Sequence, residues 1–261
     1  MNSSPALPAY AETVRKHDPD RFLTALFAPP AKRDTLLLLY AFNHELARAR
    51  EVVSEPMLAL IRLQWWREVV EGERKRHEVA TPLFDALEAG HLARGDLLRM
   101  IEAREQESEP SMPDHVAFVR YLDGTAGMLA VAAARWLGAR EPEQALPFGR
   151  AYGMAGQLRS VTALASRRRC QLPEDMLAAH GLCIHDVIAE PATDRLRPVV
   201  TELAAEGIGW LGSTRPQHAQ IAAVLPAVLA RRDLRRPFAP PGPRGLGDKL
   251  AVLAAAFGAG I

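Results

Sequence analysis

The sequence is poor in several features that identify common classes of protein. Only two of its 261 residues are cysteines, Cys170 and Cys183, which are too few and too far apart for a zinc motif or a disulfide framework. The 32 basic and 31 acidic side chains leave a net charge of +1, so no global field draws the chain to nucleic acid. We therefore expect a cytoplasmic protein in a reducing compartment, with no nucleic-acid partner.

Long apolar runs and nucleotide-binding motifs are also absent. No window of about 18 uninterrupted apolar residues occurs, and the N-terminus lacks a basic segment followed by an apolar one. The sequence contains no G-x-S-x-G, and no G-x-G-x-x-G follows a predicted strand. These absences predict no membrane-spanning helix, no secretory signal, no serine-hydrolase nucleophile and no dinucleotide-binding fold.

Helical periodicity dominates what is present. Between positions 31 and 53, residues of one face recur at three- and four-residue steps, with Pro29 and Pro30 before them. Valine and isoleucine are sparse among alanine and leucine, which disfavours strands. Further helices are predicted at 57–77, 114–137, 143–164, 174–180, 183–190, 194–212 and 216–232, and a Pro/Gly hinge at 237–247 precedes an apolar C-terminal helix. The predicted fold is an all-α bundle that forms a single domain over residues 1–261.

Carboxylate pairs that could hold a metal ion are few. Glu51 and Glu55 are four apart, but Glu55 lies at a helix end, and Glu45 and Glu51 flank Arg48 at the spacing of a surface salt-bridge ladder. The acids at 102, 105 and 109 suggest a solvated face. None of these groups by itself predicts a metal site.

Arginines are the second candidate chemistry. Three consecutive arginines at 167–169 follow Arg159, and guanidinium groups bind phosphate oxygens bidentately. The alternative is a solvated helix end, where cations complement the helix dipole. Three consecutive residues cannot all face inward on a helix, so at most one or two of these arginines could line a site.

Four segments give the sequence a family resemblance. RFLTALFAPPAKRDTLLLLYAFNHEL, LQWWREVVEG, YLDGTAG and LRS…SRRRCQLP follow one another over nearly the whole chain, and together they resemble the squalene/phytoene synthase family. The resemblance implies an all-α isoprenoid-synthase-like helical bundle with a central cavity. Active members of this family condense two prenyl diphosphates, and they hold Mg²⁺ with two helical D-x-x-x-D motifs.

The motif positions of the family fall on unusual residues here. YAFNHELARARE places Ala47 at the first aspartate of the first motif and Glu51 at the last, with Arg48 after the first. Counting back from the Leu-Pro dipeptide at 172–173 places Ser160 and Leu164 at the second motif. Glu51 is thus the one retained carboxylate of four, and the resemblance implies no metal site. Since one lost electrostatic stabiliser costs about 10²–10³ in rate, we expect metal-dependent ionisation to be lost.

One branch of the family resembles the chain more closely. FNHELARAREVVSEPMLALIRLQWWREVVE, which includes the shared segment 54–66, is similar to the branch that contains the mitochondrial complex I assembly factor. The resemblance implies a non-catalytic assembly factor or lipid- or partner-binding protein for respiratory NADH dehydrogenase, without a cofactor. The implied partners are complex I subunits, the membrane surface, or an isoprenoid or other lipid, with the protein in the cytoplasm or peripheral at the inner membrane.

Two other interpretations remain open. The chain could be an active, Mg²⁺-dependent prenyltransferase with an altered site, or a scaffold whose cavity is filled by side chains. In the first case diphosphate would be held, beside Glu51, by Arg48, Arg159, Arg167, Arg168 and Arg169, and the prenyl chain would be lined by Tyr40, Phe42 and Trp65. The apolar C-terminal helix is the predicted docking element for a membrane or a partner.

Overall fold

The structure is a computed structural model that describes residues 7–53, 55–212, 216–240 and 242–258. Its described residues form no β-strand, and one isolated bridge pairs Met112 with Pro173. The α-helices are Ala9–His17 (α1), Pro19–Ala25 (α2), Pro30–Glu51 (α3), Pro56–Glu71 (α4), Ala80–Glu88 (α5), Arg94–Glu105 (α6), His115–Leu122 (α7), Met128–Leu137 (α8), Leu146–Ala165 (α9), Glu174–Ala179 (α10), Ile184–Ala189 (α11), Arg197–Trp210 (α12), Ile221–Val224 (α13), Pro226–Leu234 (α14) and Leu246–Ala256 (α15). The all-α prediction is confirmed.

Helix α3 begins and ends close to where its sequence predicts. Pro29 occupies the N-cap and Pro30 the first helical turn, where a missing N–H costs nothing. The helix buries half of its 22 residues, including a continuous run from Leu36 to Asn43. It therefore runs through the interior of the bundle. Ser54, which was predicted to end this helix with its two neighbours, lies outside the described residues.

The predicted boundary of the next helix was wrong. Helix α4 ends at Glu71 rather than near residue 77, because Gly72 takes a φ of 123°, a conformation that residues with a side chain rarely adopt. Lys75 then turns back and pairs with Glu68 of α4. The basic residues that suggested a longer helix thus form a loop that folds against it.

Four helices were not predicted from the sequence. Helices α1, α2 and α5 span at most nine residues each, which is too short for a clear period. Helix α6 is longer, but its apolar Leu97, Met100 and Ile101 are outnumbered by charged residues. Tertiary burial of these three side chains determines the helix here.

Close contacts between glycines and backbone set the crossing of α9 with the helix that precedes it. Helices α7 and α8 are joined by a π-helical turn at Asp123–Gly127 and run on as one helix. A Cβ on Gly149 of α9 would lie 2.3 Å from the backbone oxygen of Ala126, and one on Gly124 would lie 2.5 Å from Cβ of Ala103 in α6. The YLDGTAG segment is therefore a point where α6 and α9 approach the α7–α8 helix closely.

The helix His115–Leu137 passes a membrane-span test by length and composition. Its most apolar window has a mean hydropathy of 1.3, but 56% of that window is buried inside the protein. It packs against α6 and α9. These properties are those of the central helix of a globular bundle.

The C-terminal helix packs at the side of the main core. Buried side chains from Ala11 to Leu234 form one large cluster, whereas Val252 and Ala255 of α15 join a separate cluster with Leu225 of the α13–α14 junction. Helix α15 begins at Leu246, so the last two residues of the predicted 237–247 hinge belong to the helix, and residue 241 of that segment lies outside the described residues.

Candidate functional site

The first set of motif positions lies at the end of α3. Ala47 and Arg48 are partly exposed there, and Glu51 is exposed in the last turn. Arg48 Nη1 is 3.4 Å from Glu45 Oε1, so this arginine is already engaged by a largely buried carboxylate of its own helix. The predicted salt-bridge ladder is present in its first half.

The second set lies on α9. The Ser160 hydroxyl donates to the backbone oxygen of Gln157 at 3.0 Å, as a helical serine that bonds its own helix does. Leu164 is partly buried beside Cys170 and Leu172. Neither side chain offers the carboxylate oxygen that Mg²⁺ prefers.

The donor set at these positions does not fit a magnesium ion. Of the four positions, only the one at Glu51 carries a carboxylate. Within the part of the chain that the structure describes, no group of three histidine, cysteine, aspartate or glutamate side chains lies close enough together to hold a metal. Octahedral Mg²⁺ usually takes one or two carboxylates together with substrate phosphates and waters.

A buried polar cluster lies between the two motif helices. Glu107 Oε1 accepts hydrogen bonds from the Tyr121 hydroxyl at 2.6 Å and from Arg104 Nη1 at 2.5 Å. The side chains of Arg104 and Glu107 are only 14% and 8% exposed. Burial, and next the negative charge of Glu107, raise the pKa of Tyr121 above its ordinary value. The tyrosine is therefore a neutral donor to a buried ion pair.

Further contacts tie this cluster to both motif helices. Asn43 of α3 accepts from Arg104 at 3.4 Å, and Gln157 of α9 donates to the Tyr121 hydroxyl at 3.3 Å. These two residues lie about one helical turn before the motif positions Ala47 and Ser160. The polar cluster thus adjoins both sets of motif positions.

Arg169 joins the cluster from the segment after α9. It donates to the backbone oxygen of Glu107 at 3.2 Å. Burial lowers the pKa of Arg169 below its ordinary value, and Arg50 acts in the same direction, while the charges of Glu107 and Glu51 oppose them. The structure therefore brings Arg169 near the end of α3.

Tyr40 lies deep in the bundle beside a buried arginine. Arg21 donates to Asp18 at 2.8 Å, and its guanidinium lies 5.8 Å from the ring centre of Tyr40 and 4.5 Å from that of Tyr152. Burial raises the pKa values of both tyrosines. The cavity that these side chains share with Phe148 has a volume of about 10 Å³, which is room for one water molecule rather than a prenyl chain.

The structure places Phe42 and Trp65, which were predicted to line a pocket for the prenyl chain, in an aromatic cluster. Phe42 packs edge-on against Trp66 at 5.5 Å between ring centres, and Trp65 contacts Trp66 at 4.9 Å and His77 at 5.8 Å. This aromatic cluster joins α3, α4 and the loop after α4. Helix α4 packs against α3, and the contact of Phe42 with Trp66 belongs to that packing.

A cleft of about 570 Å³ opens between the N-terminal helices, α9 and the segment after α14. Its lining includes Arg159 but none of the motif positions Ala47, Glu51, Ser160 and Leu164. Arg159 lies in this cleft and pairs with Asp233, so it is not a free phosphate ligand. Arg244 bridges Asp233 and Asp20 at 2.7 Å each.

The three arginines at 167–169 follow the end of α9 and differ in exposure. Arg167 and Arg168 are exposed, and only Arg169 turns inward. Arg168 has a φ of 55°, and the Arg169 N–H bonds back to the backbone oxygen of Leu164 at 3.0 Å. Arg168 thus occupies the left-handed position that closes a helix, where glycine is the usual residue.

We predict that Arg168→Gly stabilises the protein by about 1 kcal/mol, because the left-handed conformation costs a residue with a Cβ about 1–2 kcal/mol. Denaturant unfolding measures the change. The matched control is Arg167→Gly, which should be neutral or destabilising, since glycine there only adds freedom to the unfolded chain. Equal effects of the two substitutions would contradict the assignment.

Comparison with known proteins identifies the family. A family model described as "Squalene/phytoene synthase" matches residues 14–239, most of the chain. The chain belongs to the squalene/phytoene synthase family. The match ends before α15, so the C-terminal helix lies outside the part that the family model describes.

The curated proteins that are similar to this chain are described as assembly factors. A rat protein described as "NADH dehydrogenase (ubiquinone) complex I, assembly factor 6" is 30% identical over 84% of this chain and 68% of its own length. The human protein of the same description is 27% identical over 79% of this chain and 65% of its own length. The similarity to the branch inferred from the motif segments is confirmed.

Solved structures support the fold. A dehydrosqualene synthase in complex with ligand superposes with a TM-score of 0.76 at 14% identity, over 95% of this chain and 94% of its own. A squalene synthase from Alicyclobacillus acidocaldarius gives a TM-score of 0.66 at 19% identity, over 88% of this chain and 95% of its own. The isoprenoid-synthase-like bundle is therefore confirmed.

The buried polar cluster was not predicted from the sequence. Glu107 lies among acids that suggested a solvated face, and its neighbours Glu102 and Glu109 are indeed exposed. Its partner Tyr121 lies 14 positions after it, and Asn43, which accepts from Arg104, lies 64 positions before it. No local pattern joins such residues. A tyrosine that shares the buried side of α7 with Phe118 and Leu122 was the available signal.

Proposed function

We propose that this protein assists the assembly of a respiratory NADH dehydrogenase and does not condense prenyl diphosphates. The observation that carries the proposal is the match to assembly factor 6 of complex I, at 30% identity over 84% of the chain. Its partners would be subunits of that enzyme. No magnesium or other cofactor is needed for a role in which the bundle binds a partner.

The chemistry of the motif positions supports the non-catalytic part of the proposal. Ionisation of a prenyl diphosphate needs positive charge against the leaving group, and the family supplies it as Mg²⁺ held by carboxylates. Ala47, Ser160 and Leu164 provide no such oxygen. The adjoining interior is occupied by the Arg104–Glu107 pair and by Tyr121.

Deletion of the gene tests both parts at once. We expect assembled NADH dehydrogenase, measured on native gels, to fall, while squalene and carotenoid contents stay unchanged. Complementation with Glu51→Gln should restore assembly fully, because an exposed carboxylate at the helix end has no metal to hold in this role. The matched control is Glu55→Gln, another exposed acid four residues on. Loss of an isoprenoid on deletion, or failure of Glu51→Gln alone, would overturn the proposal.

A second candidate function is binding of a prenyl diphosphate, and the 570 Å³ cleft favours it. The cleft carries five arginines, among them Arg235 and Arg236. A ligand present at about 100 times its Kd would stabilise the fold by about 2.7 kcal/mol, which thermal unfolding detects. We expect farnesyl diphosphate to stabilise the protein no more in the presence of Mg²⁺ than in its absence. Metal-dependent stabilisation accompanied by diphosphate release would instead establish the active prenyltransferase.

A further inference from the structure

Helix α15 exposes a continuous apolar stripe. Leu246, Leu250, Leu253 and Phe257 recur at three- and four-residue steps and are 74%, 53%, 44% and 82% exposed. The opposite side of the helix carries Val252 and Ala255, which are buried against the α13–α14 region. The helix is thus apolar on both sides, and in the described part of the chain nothing covers the outer one.

The chain before and at the start of this helix is strongly basic. Residues 231–249 hold six cations and two carboxylates, a net charge of +4, whereas the whole chain carries only +1. Arg232 and Arg244 are paired with Asp248 and with Asp20 and Asp233. This segment therefore concentrates positive charge that the rest of the protein does not have.

Two of these arginines are free to meet an anion. Arg235 and Arg236 are exposed, and no carboxylate of the described residues lies within salt-bridge distance of either. Burial lowers the pKa of the neighbouring Arg231, and the charge of Arg235 lowers it further. The local excess of positive charge is thus uncompensated within the protein.

The arginines lie near the first turn of α15. Arg235, Arg236 and Asp248 line the same cleft, and Asp248 belongs to the first turn of α15, which also carries Leu246. The bond from Arg232 Nε to Asp248, at 2.6 Å, fixes the end of α14 to that turn. Lys249 adds an exposed cation between Leu246 and Leu250. Lys249 is therefore a cation of the stripe itself, and Arg235 and Arg236 add positive charge near the first turn of the helix that carries it.

We propose that this surface, the outer face of α15 with Arg235 and Arg236, docks onto a bilayer that contains anionic lipid. A helix that presents leucine and phenylalanine beside cations lies in the interface between headgroups and acyl chains. The outer face of α15 carries no acidic side chain, which would oppose anionic headgroups. A second copy of the chain fits less well, since it would bring its own excess of cations to the contact.

Binding of the purified full-length protein to vesicles tests this surface. We expect co-sedimentation with vesicles of phosphatidylcholine and phosphatidylglycerol, weak binding to phosphatidylcholine alone, and a loss of binding as salt rises. Leu250→Ser with Leu253→Ser should abolish binding. Arg235→Gln with Arg236→Gln should weaken it by about tenfold or more, since each cation near an anionic surface contributes roughly 1 kcal/mol. Unfolding curves and light scattering of each variant accompany the measurement.

Matched controls separate the surface from general effects. Met57→Ser with Ile61→Ser removes two exposed apolar side chains from α4, and Arg120→Gln with Arg140→Gln removes two exposed arginines elsewhere. Neither should change vesicle binding. Wild-type protein that stays in the supernatant with anionic vesicles would overturn the proposal, as would controls that lose as much binding as the α15 variants. A dimer that the leucine substitutions dissociate would assign the stripe to a second copy.

This inference does not depend on the proposed assembly role. Vesicle binding of the purified protein is measured without any NADH dehydrogenase present. A protein that fails to bind vesicles but still supports assembly on complementation would refute the docking surface alone. A protein that binds vesicles but whose deletion leaves assembly intact would refute the assembly role alone.

Discussion

Replacing Glu107 by alanine is expected to lower the free energy of unfolding by about 3–5 kcal/mol, because it leaves a buried guanidinium without its counter-charge. Arg104 would keep only weaker contacts to Asn43 and Tyr121, at 3.4 Å each. Tyr121 would at the same time lose the acceptor of its 2.6 Å hydrogen bond. Domains are stable by about 5–15 kcal/mol, so a loss of this size should lower the midpoint urea concentration of unfolding substantially.

A nearby exposed pair supplies the matched control. Glu105 binds Arg67 at 2.7 Å but is 43% exposed, so Glu105→Ala should cost less than about 1 kcal/mol. The double variant Arg104→Met with Glu107→Met should be more stable than Glu107→Ala, because it removes both charges and leaves none unpaired. Similar losses for Glu105→Ala and Glu107→Ala would show that Glu107 is not the counter-charge of a buried pair.

Replacing Gly149 by alanine is expected to cost about 3 kcal/mol or more, at the upper end of overpacking effects. The new Cβ would lie 2.3 Å from the backbone oxygen of Ala126 and 2.8 Å from Cα of Gly127. Backbone atoms cannot move aside as a flexible side chain can, so α9 must move away from the π-helical turn. Thermal and urea unfolding both report the loss.

The same helix contains a control for this substitution. A Cβ on Gly156 would meet nothing within 4 Å. Gly156→Ala should therefore stabilise the protein by up to about 1 kcal/mol, the difference in helix propensity between the two residues. Opposite signs for two glycine-to-alanine changes seven residues apart would demonstrate that contact, not propensity, decides at Gly149. A neutral Gly149→Ala would refute the close crossing.

Much of the fold could be predicted because its signals are local. Prolines set the start of α3 and of α4, and the Pro/Gly segment before residue 246 separates α15 from the rest. The predictions failed where a single backbone conformation decided the outcome, as at Gly72, or where tertiary burial outweighed a charged composition, as in α6. Neither effect leaves a periodic trace in the sequence.

The candidate site was harder to predict because its contacts join distant segments. The family resemblance singled out Arg169 as a basic position of the pattern, but its contact with the backbone oxygen of Glu107 joins segments 62 residues apart. The direction in which an aromatic side chain points depends on helices that are distant in the sequence. Phe42 follows Tyr40 by two positions on α3, and the packing of α4 decides that Phe42 joins Trp66 while Tyr40 meets Arg21.

The Arg244 bridge has a consequence for how the protein matures. Asp20 and Arg244 are separated by 224 positions, yet both oxygens of Asp20 accept bonds from that guanidinium. Synthesis proceeds from the N-terminus, so Asp20 leaves the ribosome long before its partner exists. The ion pair between Asp20 and Arg244, which lies in the cleft beside α2, therefore forms only after residue 244 has been synthesised.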